Sequence, residues 1–137
     1  MKFNKHQIKS TMMLGFTIVF ASFIFQDQDL EESKKRGEGI YMSYCITCHM
    51  DKGQGIQGAF PPLANSDYLM ADKERAIRTI LNGLTEEITV NGQVYFGEMT
   101  PQDLNDRKIA DVLNFIMNSW GNNGEYVLES EVSKARK

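Results

Sequence analysis

The sequence predicts an all-α domain of three to five helices carrying one small β-hairpin. Two helical stripes and one turn support that reading. Ile109, Val112, Leu113, Ile116 and Trp120 recur at i, i+3, i+4, i+7 and i+11, and Ile77, Ile80, Leu81 and Leu84 at i, i+3, i+4 and i+7. Asn91-Gly92 separates Ile88-Thr89-Val90 from Gln93-Val94-Tyr95. Both central residues of a tight hairpin turn need positive φ, and Asn-Gly supplies that at least cost.

The elements follow in chain order. Lys2, Lys5 and Lys9 precede an apolar run from Thr11 to Phe25, and no acidic residue occurs before Asp27. This is the plan of an export signal. The run has 15 residues, fewer than the about 20 that span a bilayer comfortably. Val19 and Ala21 make a poor cleavage site, so residues 1–25 read as a signal peptide or as an N-terminal membrane anchor through residues 11–25. A buried core helix is the alternative, and the flanking lysines speak against it. Either export reading leaves residues 26–137 outside the cytoplasm, in the periplasm or on the extracytoplasmic face of the membrane. Residues 26–124 then form the domain, and residues 125–137 a C-terminal tail or short helix.

Leu30 to Cys48 reads as the first helix of that domain, with Gly37, Ile40, Tyr41 and Tyr44 on related faces. Glycine is costly inside a helix unless another backbone comes close. A middle helix runs from Lys73 to Asn82, with Asp72 as its N-cap and Gly83 as its stop. Arg75 and Arg78 lie on its polar side and read as solvated surface charge. The last long helix starts at the cap Asn105, carries the stripe to Trp120 and stops at Gly121. Trp120 and Phe115 read as core packing. In the tail, Ser130 suits the cap of a final short helix with Val132 and Ala135 on one side.

Composition narrows the function. The chain of 137 residues is 42% hydrophobic and 24% charged, with a net charge of −3. Those values fit one domain plus a leader. Residues 26–137 hold 12 basic against 18 acidic side chains, a net −6, and an acidic balance argues against a nucleic-acid partner, which favours a clustered basic face. Beyond residue 25 there are two cysteines and one histidine, all within Cys45-Ile46-Thr47-Cys48-His49.

That run reads as a c-type haem attachment site. Thiols at i and i+3 lie on one side of a helical turn and can each form a thioether to a haem vinyl group. The next residue, His49, then reaches the iron from the proximal side. A structural zinc site would need about four ligands, more than this set offers. A thioredoxin-like pair would want a βαβ context, and a disulfide would staple only a tiny loop. With no second histidine, a six-coordinate iron needs a methionine. Met42, Met50, Met70, Met99 and Met117 are the candidates. Met42 and Met50 are tied to the proximal side, and Met117 belongs to the helix core. Spacing alone favours Met99, in a loop 50 residues beyond His49 and stiffened by Pro101, over Met70.

Cys45-Ile-Thr-Cys48-His49, Phe60-Pro61-Pro62-Leu63 and Met99-Thr100-Pro101 together resemble the class I monohaem cytochromes c in order and spacing, over residues 33–121. The resemblance implies a cytochrome c-like fold wrapped around one covalently bound haem c. It implies thioethers at Cys45 and Cys48, axial ligation by His49 and Met99, and a proline carbonyl, by position that of Pro61, accepting from the imidazole. It implies electron transfer between respiratory-chain partners, with no catalysis by protein side chains. The family also includes haem c subunits of larger oxidoreductases such as oxidases, nitrite reductases and dehydrogenases. The acidic surface adds one expectation: redox partner proteins with a basic docking patch. Tyr95 and Phe96 are candidates for the wall of the haem edge, and Gly53, Gly55 and Gly58 for a flexible turn around its crevice.

Overall fold

The computed structural model describes residues 29–137, so the leader expected over residues 1–25 lies outside the described residues. The chain divides after Glu31, and every contact below lies within the second unit, Glu32–Lys137. Its elements are α1 (29–44), which crosses that boundary, α2 (Ile46–His49), α3 (Asp67–Ala71), α4 (Lys73–Asn82), β1 (Ile88–Val90), β2 (Gln93–Tyr95), α5 (Asp106–Ile116) and α6 (Glu129–Ala135). The fold is mostly helical, with one antiparallel hairpin in which Ile88 pairs with Tyr95 and Val90 with Gln93. Four longer helices do the packing; α2 and α3 are single turns that aim side chains.

Local chemistry sets the helix ends. The Asp72 carboxylate accepts from the Arg75 amide at 3.0 Å, and the Asn105 side chain from the Lys108 amide at 2.9 Å. Each satisfies one of the amides that a first helical turn leaves bare. Ser66, not singled out from sequence, caps α3 in the same way through the Leu69 amide.

The core is built where α1 meets α5. A Cβ added to Gly37 would stand 2.0 Å from the Asp111 carbonyl oxygen and 2.9 Å from the Phe115 Cβ. The two backbones therefore touch at Gly37, which accounts for a glycine inside a helix. One turn on, the Tyr41 ring lies 5.5 Å from Phe115 and 4.9 Å from Trp120, and those two meet edge-on at 5.1 Å. Tilted and edge-on pairs of this kind add stability beyond their buried area. A polar network closes the same interface. Both Asp111 carboxylate oxygens accept from Arg36 at 2.8 Å, and one also accepts from the Ser33 hydroxyl at 2.6 Å. Asp111 is 4% exposed; a buried carboxylate is tolerable only when its oxygens are bonded this fully. The Asp111 carboxylate in turn holds the Arg36 guanidinium above its ordinary range.

Two expectations are corrected. Trp120 is not on the α5 stripe: the helix ends at Ile116, and Trp120 itself has φ 52°. It reaches the core by reversing the backbone after the helix. Ser130 does not cap the last helix. Leu128 occupies that position, and the Glu131 carboxylate reaches back to the Leu128 amide at 2.8 Å.

The C-terminal segment packs on the domain. Asn114, fully buried, holds it: its amide group donates to the Val127 carbonyl at 2.9 Å, and its oxygen accepts from the Val127 amide at 2.7 Å. Val127 and Val132 join the core beside α5, and Lys73 on α4 pairs with Glu131 at 2.8 Å and Glu125 at 3.3 Å.

Candidate functional site

The site is assembled at the end of α1. The Cys45 amide still bonds to the Tyr41 carbonyl at 2.9 Å, but Cys45 itself is a turn, and the helix resumes as α2. That break sets Cys48 and His49 on a fresh turn, with the His49 amide bonded to the Cys45 carbonyl at 3.0 Å. Met50 then takes φ 64° and turns the chain away. The buried Tyr41 hydroxyl fixes this reversal by donating to the Met50 carbonyl at 2.6 Å. Burial pushes its pKa well above the ordinary tyrosine value, so it remains a donor.

The loop that follows is wound tightly. Gly53 accepts from the Leu63 and Ala64 amides at 2.7 and 2.9 Å, and the Gly55 amide donates to the His49 carbonyl at 3.0 Å. Gly55 has φ 63°, and a Cβ there would stand 2.3 Å from the Phe60 carbonyl oxygen and 2.7 Å from that of Pro61. Glycine at this position lets the Pro61 carbonyl come within 3.0 Å of His49 Nδ1. A carbonyl oxygen only accepts, so Nδ1 carries the proton and Nε2 keeps its lone pair. Burial lowers the imidazole pKa, and the bond to Pro61 opposes that shift. The turn read from sequence as flexible is thus a pinned loop, and the positioning roles of Gly55 and Tyr41, both named from sequence for other reasons, come only from the structure.

Met99 is placed by a different part of the chain. Its amide and carbonyl both bond to Leu84, each at 2.8 Å, closing the excursion that contains the hairpin. At the hairpin tip the Asn91 amide donates to the Asp67 carboxylate at 2.7 Å, and the Asp67 amide donates to the Asn91 side-chain oxygen at 3.1 Å.

Cys45, Cys48, His49, Pro61 and Met99 all line one cavity of about 240 Å³, whose walls are mainly apolar residues of α4, α5 and the hairpin. Met99 is the only methionine and His49 the only histidine among its lining residues. Met70 packs against the core instead, and Met42 is exposed. Tyr95 is buried and faces the cavity, whereas Phe96, expected beside it, is 77% exposed and not part of the wall. Arg78 pairs with Glu74 on the surface, as expected of a solvated charge, but Arg75 lines the cavity.

The donor set suits a flat, largely apolar macrocycle held at its edge and centre. Cys45 and Cys48 are free thiols, and burial pushes Cys45 up to about 11, so it is not a poised redox thiolate at neutral pH. Among the described residues no group of three or more His, Cys, Asp or Glu side chains is placed to hold a bare metal ion.

The family model for cytochrome c matches residues 34–120, more than half of the chain. The chain belongs to the cytochrome c family. It is similar to a cytochrome c-552 of Thermus thermophilus, 43% identical over 90 residues that cover 62% of this chain and 68% of the relative. It is also similar to the cytochrome c subunit of an alcohol dehydrogenase (quinone) from Gluconobacter oxydans, 29% identical over 103 residues. A third relative is the gluconate 2-dehydrogenase cytochrome c subunit of Pantoea cypripedii, 29% identical over 114 residues. The matches cover only 22% and 25% of those two subunits. This cytochrome c is an electron carrier rather than an enzyme, and its cofactor is one covalently bound haem c. The bound haem supplies one-electron redox chemistry; the chain supplies anchorage, orientation and a dry wall.

Proposed function

We propose that this cytochrome c carries single electrons between respiratory-chain proteins outside the cytoplasm, through a low-spin haem with His49 and Met99 as axial ligands. Cys45 and Cys48 are the thioether anchors. Pro61 keeps the His49 proton on Nδ1, which leaves Nε2 for iron and makes it more basic. The observation that carries this reading is the convergence of one histidine, fixed in tautomer by Pro61, and one methionine on a single apolar cavity. With both axial positions filled, iron has no open site for substrate, and its job is outer-sphere transfer.

A second reading, that of a fixed haem subunit in a larger oxidoreductase, is favoured by the dehydrogenase subunits among its relatives. Size in solution and co-purifying proteins separate the two. Membrane attachment through residues 11–25 is compatible with either; among the described residues no helix is long and apolar enough to cross a membrane.

The test is an absorption spectrum of protein made with export and haem-ligation machinery, repeated after acid–acetone extraction. A sharp low-spin reduced spectrum that stays with the polypeptide is expected in the parent. A Cys45→Ser, Cys48→Ser double variant should lose that covalent colour, and persistence would overturn the anchor assignment. The net −6 of residues 26–137 leads to a second expectation. Electron transfer to a partner with a basic docking patch slows as salt rises, because a shorter screening length weakens steering. Stopped-flow rates that ignore ionic strength for every competent partner would contradict it.

A further inference from the structure

Pro61 and Pro62 carry no amide hydrogen, so no main-chain donor of their own fixes the carbonyl that meets His49. That carbonyl is placed from the two ends of the segment. On one side the Phe60 amide and carbonyl bond to Ile56 at 2.8 and 2.9 Å. On the other, the Leu63 amide bonds to the Gly53 carbonyl at 2.7 Å, and the Leu63 carbonyl accepts from Asn122 Nδ2 at 2.7 Å. Asn122 belongs to the turn after α5, 59 residues further along the chain, and is not among the lining residues of the cavity. The same turn bears on the loop at two more points. A Cβ at Gly53 would stand 2.5 Å from the Trp120 ring, and one at Gly121 would stand 2.1 Å from Asn65 Oδ1.

Asn122 makes its bonds at a cost. Nδ2 gives its second hydrogen to the carbonyl of Ile116, the last residue of α5, at 2.9 Å, while Oδ1 is buried with no partner. Native folds leave few buried polar atoms unpaired. The backbone beside it is strained as well, since Trp120 holds φ 52°, a region that bulky residues rarely enter. Both penalties fall where the turn touches the loop, and both deliver a pair of N–H donors to that spot. A carboxylate there would offer no donor, and a hydroxyl only one.

We propose that Asn122 is a positioning residue for the proximal ligand: by holding Leu63 it sets how closely the Pro61 carbonyl approaches His49 Nδ1, and so tunes the donor strength of Nε2. The inference rests on the haem reading above, with His49 as proximal ligand, and adds a control point outside the cavity. An imidazole whose Nδ1–H is firmly bonded is the more basic ligand. It favours the oxidised iron, which carries the greater positive charge. Without the Asn122 anchor, the segment from Phe60 to Leu63 is held at one end less, the bond to Nδ1 slackens, and the redox equilibrium moves toward the reduced form.

The experiment compares the haem-loaded parent with Asn122→Leu, Asn122→Ala and Asn118→Ala. Covalent haem is first verified in each by the extraction test, so failure of the haem reading appears as loss of colour in the parent itself. Two quantities are then measured: the midpoint potential, and the rate at which the His49 Nδ1 proton exchanges with solvent, followed by nuclear magnetic resonance in the reduced state. The leucine variant replaces the unpaired oxygen with an apolar group of similar shape, which offsets part of the lost bonding. The alanine variant reports if the leucine variant does not fold. Asn118 is the control, because it makes the same kind of bond at 3.1 Å to the Asn114 carbonyl of α5 rather than to the loop. Both Asn122 variants are expected to shift the redox equilibrium about twofold or more toward the reduced form. Their Nδ1 proton should exchange about tenfold faster, as local opening becomes easier. Asn118→Ala should match the parent in both, even where its melting temperature falls as far. Parent-like potential and exchange in an Asn122 variant that retains covalent haem would overturn the proposal, as would an equal shift in Asn118→Ala.

Discussion

Met99→Ala is expected to abolish the weak red absorption band of ferric iron bonded to sulfur and to lower the reduction potential sharply. The thioether is a soft ligand that favours reduced iron, and no other methionine lines the cavity to replace it. The expected drop is more than a tenfold shift in the redox equilibrium, a tenfold shift being about 59 mV for a one-electron couple. Covalent haem remains, since Cys45 and Cys48 are untouched. Met70→Ala is the control. Met70 packs on the core, so its loss costs about 2 kcal/mol of stability while the red band stays. A band that survives Met99→Ala but disappears in Met70→Ala would reassign the ligand. Carbon monoxide binding to the ferrous Met99→Ala protein is a second readout of the expected result, because an opened axial position accepts it and a filled one resists.

Gly37→Val carries the largest expected loss of stability. Even a single Cβ would stand 2.0 Å from the Asp111 carbonyl oxygen, and this is rigid helix backbone that cannot swing aside. α1 and α5 must separate, which pulls Arg36 and Ser33 from the buried Asp111 and loosens the Tyr41–Phe115–Trp120 contacts. Overpacking and a disturbed buried network together cost about 3 kcal/mol or more. For a domain of this size that lowers the melting temperature by on the order of 12 to 24 °C. Thermal unfolding of the haem-loaded protein measures it, with Gly39→Ala as the comparison. Nothing lies within 4 Å of a Cβ at Gly39, so that change should be neutral or slightly stabilising. A melting temperature for Gly37→Val within a few degrees of the parent would mean that the two helices have room to part.

What could be read from sequence alone followed the range of the physics involved. Asp72, Asn105 and Asn91-Gly92 were legible because capping and tight turns are settled within four residues. The Cys45–His49 run stood out because its two thiols and imidazole lie within five residues. Trp120 was misread because it continues the helical period by coincidence; the chain has already left the helix, and contacts with Tyr41 and Phe115 hold it. Ser130 looked like a cap by residue type, but a carboxylate at Glu131 served the Leu128 amide instead. Arg75 and Arg78 are indistinguishable by pattern, three apart on one polar face. Only the position of Tyr68, brought in by the one-turn helix α3, separates a cavity residue from a surface one. Gly55 gave no local sign of its role, since the atoms it must avoid arrive from Phe60 and Pro61.

The two-way bonding of Met99 to Leu84 has a consequence for the speed of electron transfer. Gly83, with φ 77°, lies so close to the Met99 carbonyl that a Cβ there would be 2.3 Å from the oxygen, and Pro101 stiffens the chain on the far side. The backbone beneath the sulfur is therefore clamped from Gly83 to Pro101, as the imidazole is clamped by Pro61. If His49 and Met99 hold the iron as proposed, both would be presented by a fixed frame in either oxidation state. Little nuclear rearrangement would then accompany the change of charge, since a preorganised site spends no free energy reorienting itself at the moment of transfer. Under the proposed ligation, the main-chain hydrogen bonds that hold Met99 and His49, made when the protein folds and long before a partner arrives, would keep the reorganisation energy low.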